Sequence, residues 1–329
     1  MEFKQIYDMS KKIKTNIQKV IVGKDDVIDL MLIAMICSGH VLLEDVPGTG
    51  KTLLAKAMAS SIDSDFKRIQ FTPDLLPSDL TGINYFNQKI SDFQFRPGPI
   101  FTNILLADEI NRATPRTQSS LLECMAERQV TIDGETRIIE NPFMVIATQN
   151  PIEIQGTFPL PEAQLDRFLV KIDMGYPTTA EGVEILSRFK DDDPLDQLEP
   201  VVSSEDIIQA QANYSKIFVS PDILEYIVKI AEASRKHTEV VLGISPRGTQ
   251  ALLKAASVYA ILQGRDYVLP DDVKVMCSPV LSHRLILRRA THIGEDYIKS
   301  VLDDILKEGT VPSESELIKD GEKDGVTMT

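Results

Sequence analysis

Short apolar runs alternate with segments of helical periodicity along the first half of the chain. Three segments have the apolar spacing of helices: residues 25–37, 51–62 and 114–129. Three apolar runs are short enough to be strands that are buried on both faces: residues 40–46, 102–109 and 142–150. Buried strands that alternate with helices predict an α/β fold, a parallel sheet with helices on both faces.

The pattern changes after about residue 175, where the alternation stops. Residues 191–206 contain seven acidic residues, no basic residue and two prolines, which predicts a solvated connection between domains. Beyond it, apolar residues recur at helical spacing in 206–213, 221–235 and 246–263, and Pro270 and Asp271 predict the start of another helix at 270–276. We therefore predict four regions: an α/β core at 1–175, an acidic linker at 176–206, a smaller all-helical domain at 207–310 and a disordered polar tail at 311–329.

The composition of the chain limits which partners the protein can bind and in which cell compartment it is expected. The 329 residues carry a net charge of -14, which argues against broad nucleic-acid binding, because such binding relies on Lys and Arg. The three cysteines are far apart and have no disulfide or zinc spacing. The most apolar run, at 31–37, is too short to span a membrane, and no signal-peptide pattern begins the chain. A cytoplasmic protein without membrane insertion is expected.

Residues 44–52, EDVPGTGKT, lie between a predicted strand and a predicted helix and end like a phosphate-binding loop. Such a loop needs inward-pointing backbone N–H groups, a cation for the phosphate oxygens and a hydroxyl for Mg²⁺. Gly48 and Gly50 allow a tight turn, Lys51 supplies the cation and Thr52 is the expected Mg²⁺ ligand. The general pattern has glycine at the position of Asp45, which leaves open how the first turn of the loop is shaped.

The other two apolar runs also end in residues that suit phosphate chemistry. A buried strand that ends in Asp108 and Glu109 is hard to explain as core, because burying an unpaired charge costs on the order of several kcal/mol of folding free energy. We expect Asp108 to hold Mg²⁺, mostly through water, and Glu109 to act as a general base on the attacking water. Asn150 is a candidate to hydrogen-bond the γ-phosphate or that water; alternatively, it turns the chain before Pro151.

Two arginines complete the candidate site. Arg167 lies in PEAQLDRF, and Arg247 lies in SPRG, where a helix of the second domain is predicted to begin. The transition state of phosphoryl transfer gains from an added guanidinium group. From its residues alone, Arg167 is equally well explained as a surface salt-bridge former.

The order of the motifs EDVPGTGKT, LLADEINRA, ATQNP, LPEAQLDRF and GISPR resembles AAA+ ATPases of the MoxR family, over about residues 15–290. The resemblance implies Walker A and Walker B roles for Lys51-Thr52 and Asp108-Glu109, and a sensor 1 role for Asn150. It implies that Arg167 is an arginine finger that reaches the γ-phosphate of a neighbouring subunit. It also implies that Arg247 is the sensor 2 arginine of a helical lid.

The same resemblance adds expectations around these motifs. The family commonly has an acidic residue where Asp45 stands, and its segment equivalent to 21–23 packs against adenine. The implied nucleotide-binding residues are Val22, Gly23, Pro47, Gly48, Thr49, Gly50, Lys51, Thr52 and Asp108. Residues 83–100 match a helix-2 insertion, and residues 127–134 match a β-hairpin, for which Asp133-Gly134 is a good turn. Arg112 is a further candidate for an inter-subunit contact.

The implied function is ATP-driven, chaperone-like remodelling of a protein client by a homo-oligomer, usually a hexameric ring with ATP between subunits. Proteins with a von Willebrand factor A domain are the implied partners. Three alternatives are a DNA-acting motor, a nucleotide-gated scaffold with little hydrolysis and a small-molecule kinase. The net charge of -14 argues against the first. Intact Asp108, Glu109 and Asn150 argue against the second, and the arginine motifs and helical lid argue against the third.

Overall fold

A computed structural model describes residues 1–44, 46, 48–150, 156–190, 193–288 and 295–308. They form two units, residues 8–212 and the residues from 213 onward, and residues 2–7 group with the second unit. The domain boundaries predicted from the sequence stay predictions. The predicted disordered tail at 311–329 lies outside the described residues.

Helices and strands alternate as far as residue 213. In chain order they are α1 (Phe3–Ile17), α2 (Asp25–Ile36), β1 (Val41–Glu44), α3 (Lys51–Ser61), β2 (Phe66–Gln70), α4 (Pro77–Thr81), β3 (Gly82–Asn87), β4 (Asp92–Pro97), β5 (Ile104–Asp108), α5 (Pro115–Glu127), β6 (Gln129–Ile132), β7 (Glu135–Ile138), β8 (Met144–Gln149), α6 (Glu162–Leu165), β9 (Val170–Ile172), α7 (Thr179–Arg188) and α8 (Ser204–Asn213). The helices at 25–37, 51–62 and 114–129 were thus predicted to within two residues.

Five parallel strands form the central sheet, in the order β2-β5-β8-β1-β9, which confirms the predicted fold class. Strands β1, β5 and β8 are buried until their last residues, which are Glu44, Asp108 and Gln149, and Thr148 of β8 is the one polar residue among the buried positions. Glu44 pairs with Gln149 in the register, and Gln70 at the end of β2 pairs with Asp108. The carboxyl ends of these strands therefore bring polar side chains to one edge of the sheet.

Helix α5 packs against this sheet through apolar side chains. The buried cluster includes Leu105 and Ala107 of β5, Val145 of β8, and Leu121 and Met125 of α5. Burial of a Leu, Val or Met side chain stabilises the fold by about 1.5–3 kcal/mol each. The strands that carry the polar ends are therefore held in place by a well-packed core.

Two of the sheet strands, β2 and β9, were not predicted. Strand β2 lies at the edge of the sheet and most of its side chains are exposed, while β9 has only 3 residues. Neither segment contains a continuous apolar run, and such runs were the signal used to predict strands.

Two antiparallel hairpins project from the first unit. The predicted hairpin is formed by β6 and β7, and its turn residues Asp133 and Gly134 have φ angles of 51° and 85°. These left-handed values are those that tight hairpin turns require. The predicted insertion at 83–100 contains the β3–β4 hairpin.

The acidic segment predicted as a connection is hydrogen-bonded to the first unit where it is described. The Asn16 Nδ2 atom donates to the Glu199 carbonyl at 2.9 Å, and the Val201 N–H donates to the Ser61 carbonyl at 3.0 Å. The Ser204 hydroxyl donates to the Asp63 carbonyl at 3.0 Å. Counting charges along the sequence cannot reveal such backbone contacts.

The second unit is mostly helical. Its elements are α9 (Pro221–Lys236), β10 (Val240–Leu242), α10 (Pro246–Leu262), α11 (Pro270–Leu281), β11 (Ile286–Leu287) and α12 (Glu295–Glu308). The Ser245 hydroxyl caps α10 by accepting from the Gly248 N–H at 3.1 Å. Strands β10 and β11 form a short antiparallel pair that the helical pattern did not predict, because strands this short show no alternation. Within the described parts of both units, no helix has the length and apolar character that crossing a membrane requires.

Candidate functional site

The phosphate-loop motif lies between β1 and α3, in the strand–loop–helix context that the sequence predicts. Gly48 and Gly50 have φ angles of 88° and 93°, a left-handed conformation that glycine adopts without strain. Lys51 begins α3, whose first N–H groups are a natural site for an anion. The Thr49 hydroxyl donates to the Val46 carbonyl at 3.3 Å and closes the turn. Asp45 and Pro47 lie outside the described residues.

A cavity of about 470 Å³ opens beside this loop. Its lining includes the sequence-predicted residues Gly48, Gly50, Lys51, Thr52, Asp108, Glu109 and Asn150. It also includes Arg68, Gln70 and Thr148, which the sequence analysis did not single out. The strand order brings these residues together across about a hundred positions of sequence.

Asp108 is held from two sides of the cavity. The Thr148 hydroxyl donates to Asp108 Oδ1 at 2.6 Å. On the other oxygen, Oδ2, Arg68 donates from Nη2 at 2.6 Å and from Nε at 3.1 Å. Both oxygens of this carboxylate thus have a defined partner, and the carboxylate is fixed at the edge of the sheet.

Glu109 has an unusual backbone conformation. Its φ of 56° and ψ of 50° are left-handed, which costs a residue with a side chain about 1 kcal/mol or more. The Thr148 hydroxyl accepts from the Glu109 N–H at 2.9 Å, so one threonine orients both acidic residues. Glu109 Oε2 accepts from Gln70 Nε2 at 2.6 Å and pairs with Arg112 Nε at 2.9 Å. The turn therefore directs the carboxylate toward β2 and the cavity.

A buried glutamine secures the segment that follows Glu109. The Gln118 side chain is fully buried, and its Nε2 donates to the carbonyls of Ile110 and Ala113 at 3.1 Å each. The same amide donates to the Phe158 carbonyl at 2.9 Å. These contacts give hydrogen-bond donors to buried carbonyl groups that the turn leaves without a backbone partner.

A second ion pair lies at the carboxyl end of β1. Glu44 Oε1 accepts from Gln149 Nε2 at 2.7 Å, and Glu44 Oε2 pairs with the ammonium group of Lys171 on β9. Both charged side chains are only 16% exposed. This cluster joins β1, β8 and β9, next in sequence to the phosphate loop on one strand and to the buried Asn150 on another.

Other predicted site residues lie elsewhere among the described residues. Arg167 is half-buried and donates from Nη1 to the Leu122 carbonyl of α5; it is not among the residues lining the cavity. Val22 is buried, and Gly23 has a φ of 68°, a left-handed conformation that glycine adopts without strain. Arg247 is the second residue of α10 in the second unit, where it is exposed. The roles proposed for these residues stay predictions.

The sequence did contain a signal for the residues that were missed. In the segment FKRIQ, Arg68 and Gln70 are two positions apart, so a strand places them on the same face. Thr148 lies inside the ATQNP motif, two positions before the asparagine that was selected. Their importance depends on which strand lies beside β5, and this pairing is not visible in the sequence.

Two buried cysteines are poor nucleophiles. Burial raises the pKa of Cys124 to about 11 and the pKa of Cys277 to about 12. Both therefore stay protonated near neutral pH. Within the described ranges, no group of three or more His, Cys, Asp or Glu side chains is arranged to hold a metal ion.

A parallel sheet that presents a glycine-rich loop, a lysine, a threonine and paired acidic residues at one edge defines a P-loop nucleoside triphosphatase. Comparison with known proteins makes this assignment more specific. Residues 40–170 match the ATPase family associated with various cellular activities (AAA), and residues 232–305 match the AAA lid domain.

Three similar proteins cover nearly the whole chain. YeaC of Bacillus subtilis is 48% identical over 95% of this chain and 98% of its own length. Chaperone MoxR1 of Mycobacterium tuberculosis is 41% identical over 90% of this chain and 80% of its own length. The crystal structure of an ATPase candidate from Cytophaga hutchinsonii is 38% identical, with a TM-score of 0.87, over 94% of this chain and 97% of that one. The chain belongs to the MoxR family of AAA+ ATPases, and it is an ATP-hydrolysing enzyme.

Proposed function

We propose that this ATPase hydrolyses Mg-ATP at sites completed between copies of the chain, and that it uses the energy to remodel a protein client. The observation that carries the proposal is the convergence of Lys51, Thr52, Asp108, Glu109 and Asn150 on one cavity. These residues provide the cation, the hydroxyl, the carboxylates and the amide that phosphoryl transfer requires.

The donors present fit a magnesium-bound triphosphate. One carboxylate and one hydroxyl, from Asp108 and Thr52, are typical of Mg²⁺, which keeps water ligands and shares the phosphates of its nucleotide. The left-handed glycines turn the loop, and the N-terminus of α3 faces the anion. When bound, the metal supplies positive charge that stabilises the charge developing on the phosphates.

The residues of the chain then divide the chemistry. Lys51 balances the charge of the terminal phosphates. Glu109 takes the proton of the attacking water, from a backbone position that Thr148 fixes. Asn150 orients the water or the γ-phosphate by hydrogen bonding.

Assembly into a ring, which we propose to be hexameric, would complete the site. Arg167 does not line the cavity of its own chain, which is consistent with a guanidinium that acts on a neighbour's nucleotide. In the proposed ring, the hydrogen bond that Arg167 donates to the Leu122 carbonyl orients the guanidinium group before a neighbouring subunit binds. Arg247 at the start of α10 is the proposed reporter of nucleotide state, and Val22-Gly23 is the proposed adenine contact.

Replacement of Glu109 by Gln tests the catalytic role. Glu109→Gln keeps the shape and the hydrogen bonds to the side chain but removes the base, so ATP affinity should stay within about twofold while turnover falls at least about a hundredfold. Nucleotide binding and single-turnover hydrolysis measure the two effects. Glu140→Gln, an exposed carboxylate outside the cavity, is the matched control. Equal losses of affinity and turnover would show that Glu109 holds the nucleotide instead.

Mixing of variants tests the site between subunits. Arg167→Ala should slow hydrolysis about a thousandfold without weakening ATP binding, because a finger acts on the transition state. Mixing it with Lys51→Ala should restore activity, since each variant supplies what the other lacks. No recovery, together with a lower urea midpoint for Arg167→Ala, would assign Arg167 to holding α5 through Leu122 instead. The rate per subunit should also climb with protein concentration.

A protein partner suits the surface better than nucleic acid. Phe86, Ile90 and Phe93 are 51%, 60% and 69% exposed at the tip of the β3–β4 hairpin, and the chain has a net charge of -14. We propose a cytoplasmic client, with von Willebrand factor A domain proteins of the same organism as the first partners to test. Stimulation of the ATPase by such a protein would support this, whereas stimulation by duplex DNA alone would favour the DNA-acting motor.

A further inference from the structure

Arg68 is a cation of the cavity that the proposed roles above do not use. It stands on β2, two positions before Gln70, and it lines the same cavity as Lys51 and Thr52. Its side chain is 48% exposed although its head group is bound to Asp108, whose side chain is only 14% exposed. Arg68 therefore reaches a well-enclosed carboxylate from a strand at the edge of the sheet.

The partners of Asp108 show what this contact does. Thr148 donates to Oδ1, and Arg68 donates twice to Oδ2. A carboxylate so enclosed needs a positive partner, since its solvation is largely lost. A divalent cation on Asp108 would compete with the guanidinium group for the same charge and the same oxygen.

Arg68 is also connected to the catalytic carboxylate. Its Nη2 atom donates to Gln70 Oε1 at 3.1 Å, and Gln70 Nε2 donates to Glu109 Oε2 at 2.6 Å. The guanidinium thus lies in the row of side chains that leads from Asp108 to Glu109, in the wall of the cavity that Lys51 also lines. Its planar set of donors suits phosphate oxygens as well as it suits a carboxylate.

Resting on the proposed binding of Mg-ATP, we propose that Arg68 is a nucleotide-binding residue that exchanges partners. It balances Asp108 until a divalent cation takes that carboxylate, and it then moves to the terminal phosphate. The exposure of the side chain and the position of β2 at the sheet edge permit this movement. Arg68 thereby distinguishes a triphosphate from a diphosphate.

The test measures binding rather than turnover. Fluorescent ATP and ADP analogues are titrated into the wild-type chain and into Arg68→Met, with Mg²⁺ and with EDTA. Loss of a charge-assisted contact should weaken ATP binding about tenfold and ADP binding less than about twofold. The Mg²⁺ concentration that half-saturates Mg²⁺-dependent ATP binding should fall, because Asp108 no longer has a competing partner.

Controls separate this proposal from the one on which it rests. Arg96→Met removes an exposed arginine of β4 outside the cavity and should change neither affinity. Lys51→Ala should abolish binding; if the wild-type chain binds no nucleotide either, it is the proposed Mg-ATP site that fails. Equal weakening of ATP and ADP, or unchanged affinities with a lower urea midpoint, would overturn the partner exchange and leave Arg68 as a structural ion pair.

Discussion

Two ion pairs at the same edge of the sheet have opposite characters. At the end of β1, Glu44 pairs with Lys171, and both side chains are 16% exposed. At the end of β5, Asp108 pairs with Arg68, whose side chain is 48% exposed. Each carboxylate follows a buried strand and takes a second hydrogen bond from β8, through Gln149 in one case and Thr148 in the other.

The difference between the pairs lies in the cation. Both cations stand on edge strands of the sheet, but Lys171 on β9 is enclosed, with only 16% of its side chain exposed, and it leaves Glu44 little access to other partners. Arg68 extends from an edge strand into a cavity, where other anions can reach it. A similar arrangement of carboxylate and cation therefore serves as a fixed pair at the end of β1 and, as we propose, as an exchangeable contact within the cavity.

The largest expected effect comes from breaking the enclosed pair. Lys171→Met leaves Glu44 without its cation and should lower the free energy of unfolding by about 3 kcal/mol. The matched change at the other pair, Arg68→Met, should lower it by less, about 1–2 kcal/mol, because water in the cavity can reach Asp108 once the guanidinium group is gone. Urea denaturation of both variants measures the comparison. Similar losses for both would mean that the two pairs do not differ in kind.

A smaller effect is expected from Thr148, which holds Asp108 in place. Thr148→Val removes a donor to Asp108 and an acceptor for the Glu109 N–H, and should lower the free energy of unfolding by about 1–2 kcal/mol. Turnover should fall more than ATP affinity does, because the position of Glu109 is loosened. Thr131→Val on β6, where the hydroxyl is exposed, serves as the control. An unchanged turnover for Thr148→Val would show that Glu109 does not depend on this hydroxyl.

The smallest expected effect is a different dependence of the two coupling energies on salt concentration. Raising NaCl from about 0.05 M to about 0.5 M should reduce the coupling energy between Arg68 and Asp108, because exposed charges are screened. The coupling between Lys171 and Glu44 should change much less. Double-mutant cycles at the two salt concentrations, read by urea denaturation, give both coupling energies. Equal sensitivity to salt would contradict the difference in enclosure.

The amino-acid pattern predicted the parts of the fold that bury continuous apolar surface. Strands β1, β5 and β8 and helices α2, α3 and α5 were predicted because their apolar side chains are removed from water, and this burial requires apolar residues at a set period. Strand β2 escaped prediction because it is exposed at the sheet edge, and its role depends on pairing with β5.

By itself, the sequence determined the loop chemistry of Gly48 to Thr52, the acidic end of β5 and the asparagine after β8. Each of these motifs is a short run of residues in the chain, and phosphate chemistry limits the residue types that it can contain. Only the tertiary structure decided that Arg68 neutralises Asp108, that Thr148 serves both acidic residues and that Lys171 supports Glu44. Those contacts join residues up to 127 positions apart. They depend on the order of strands in the sheet, which is set by the packing of the whole unit rather than by any local run of residues.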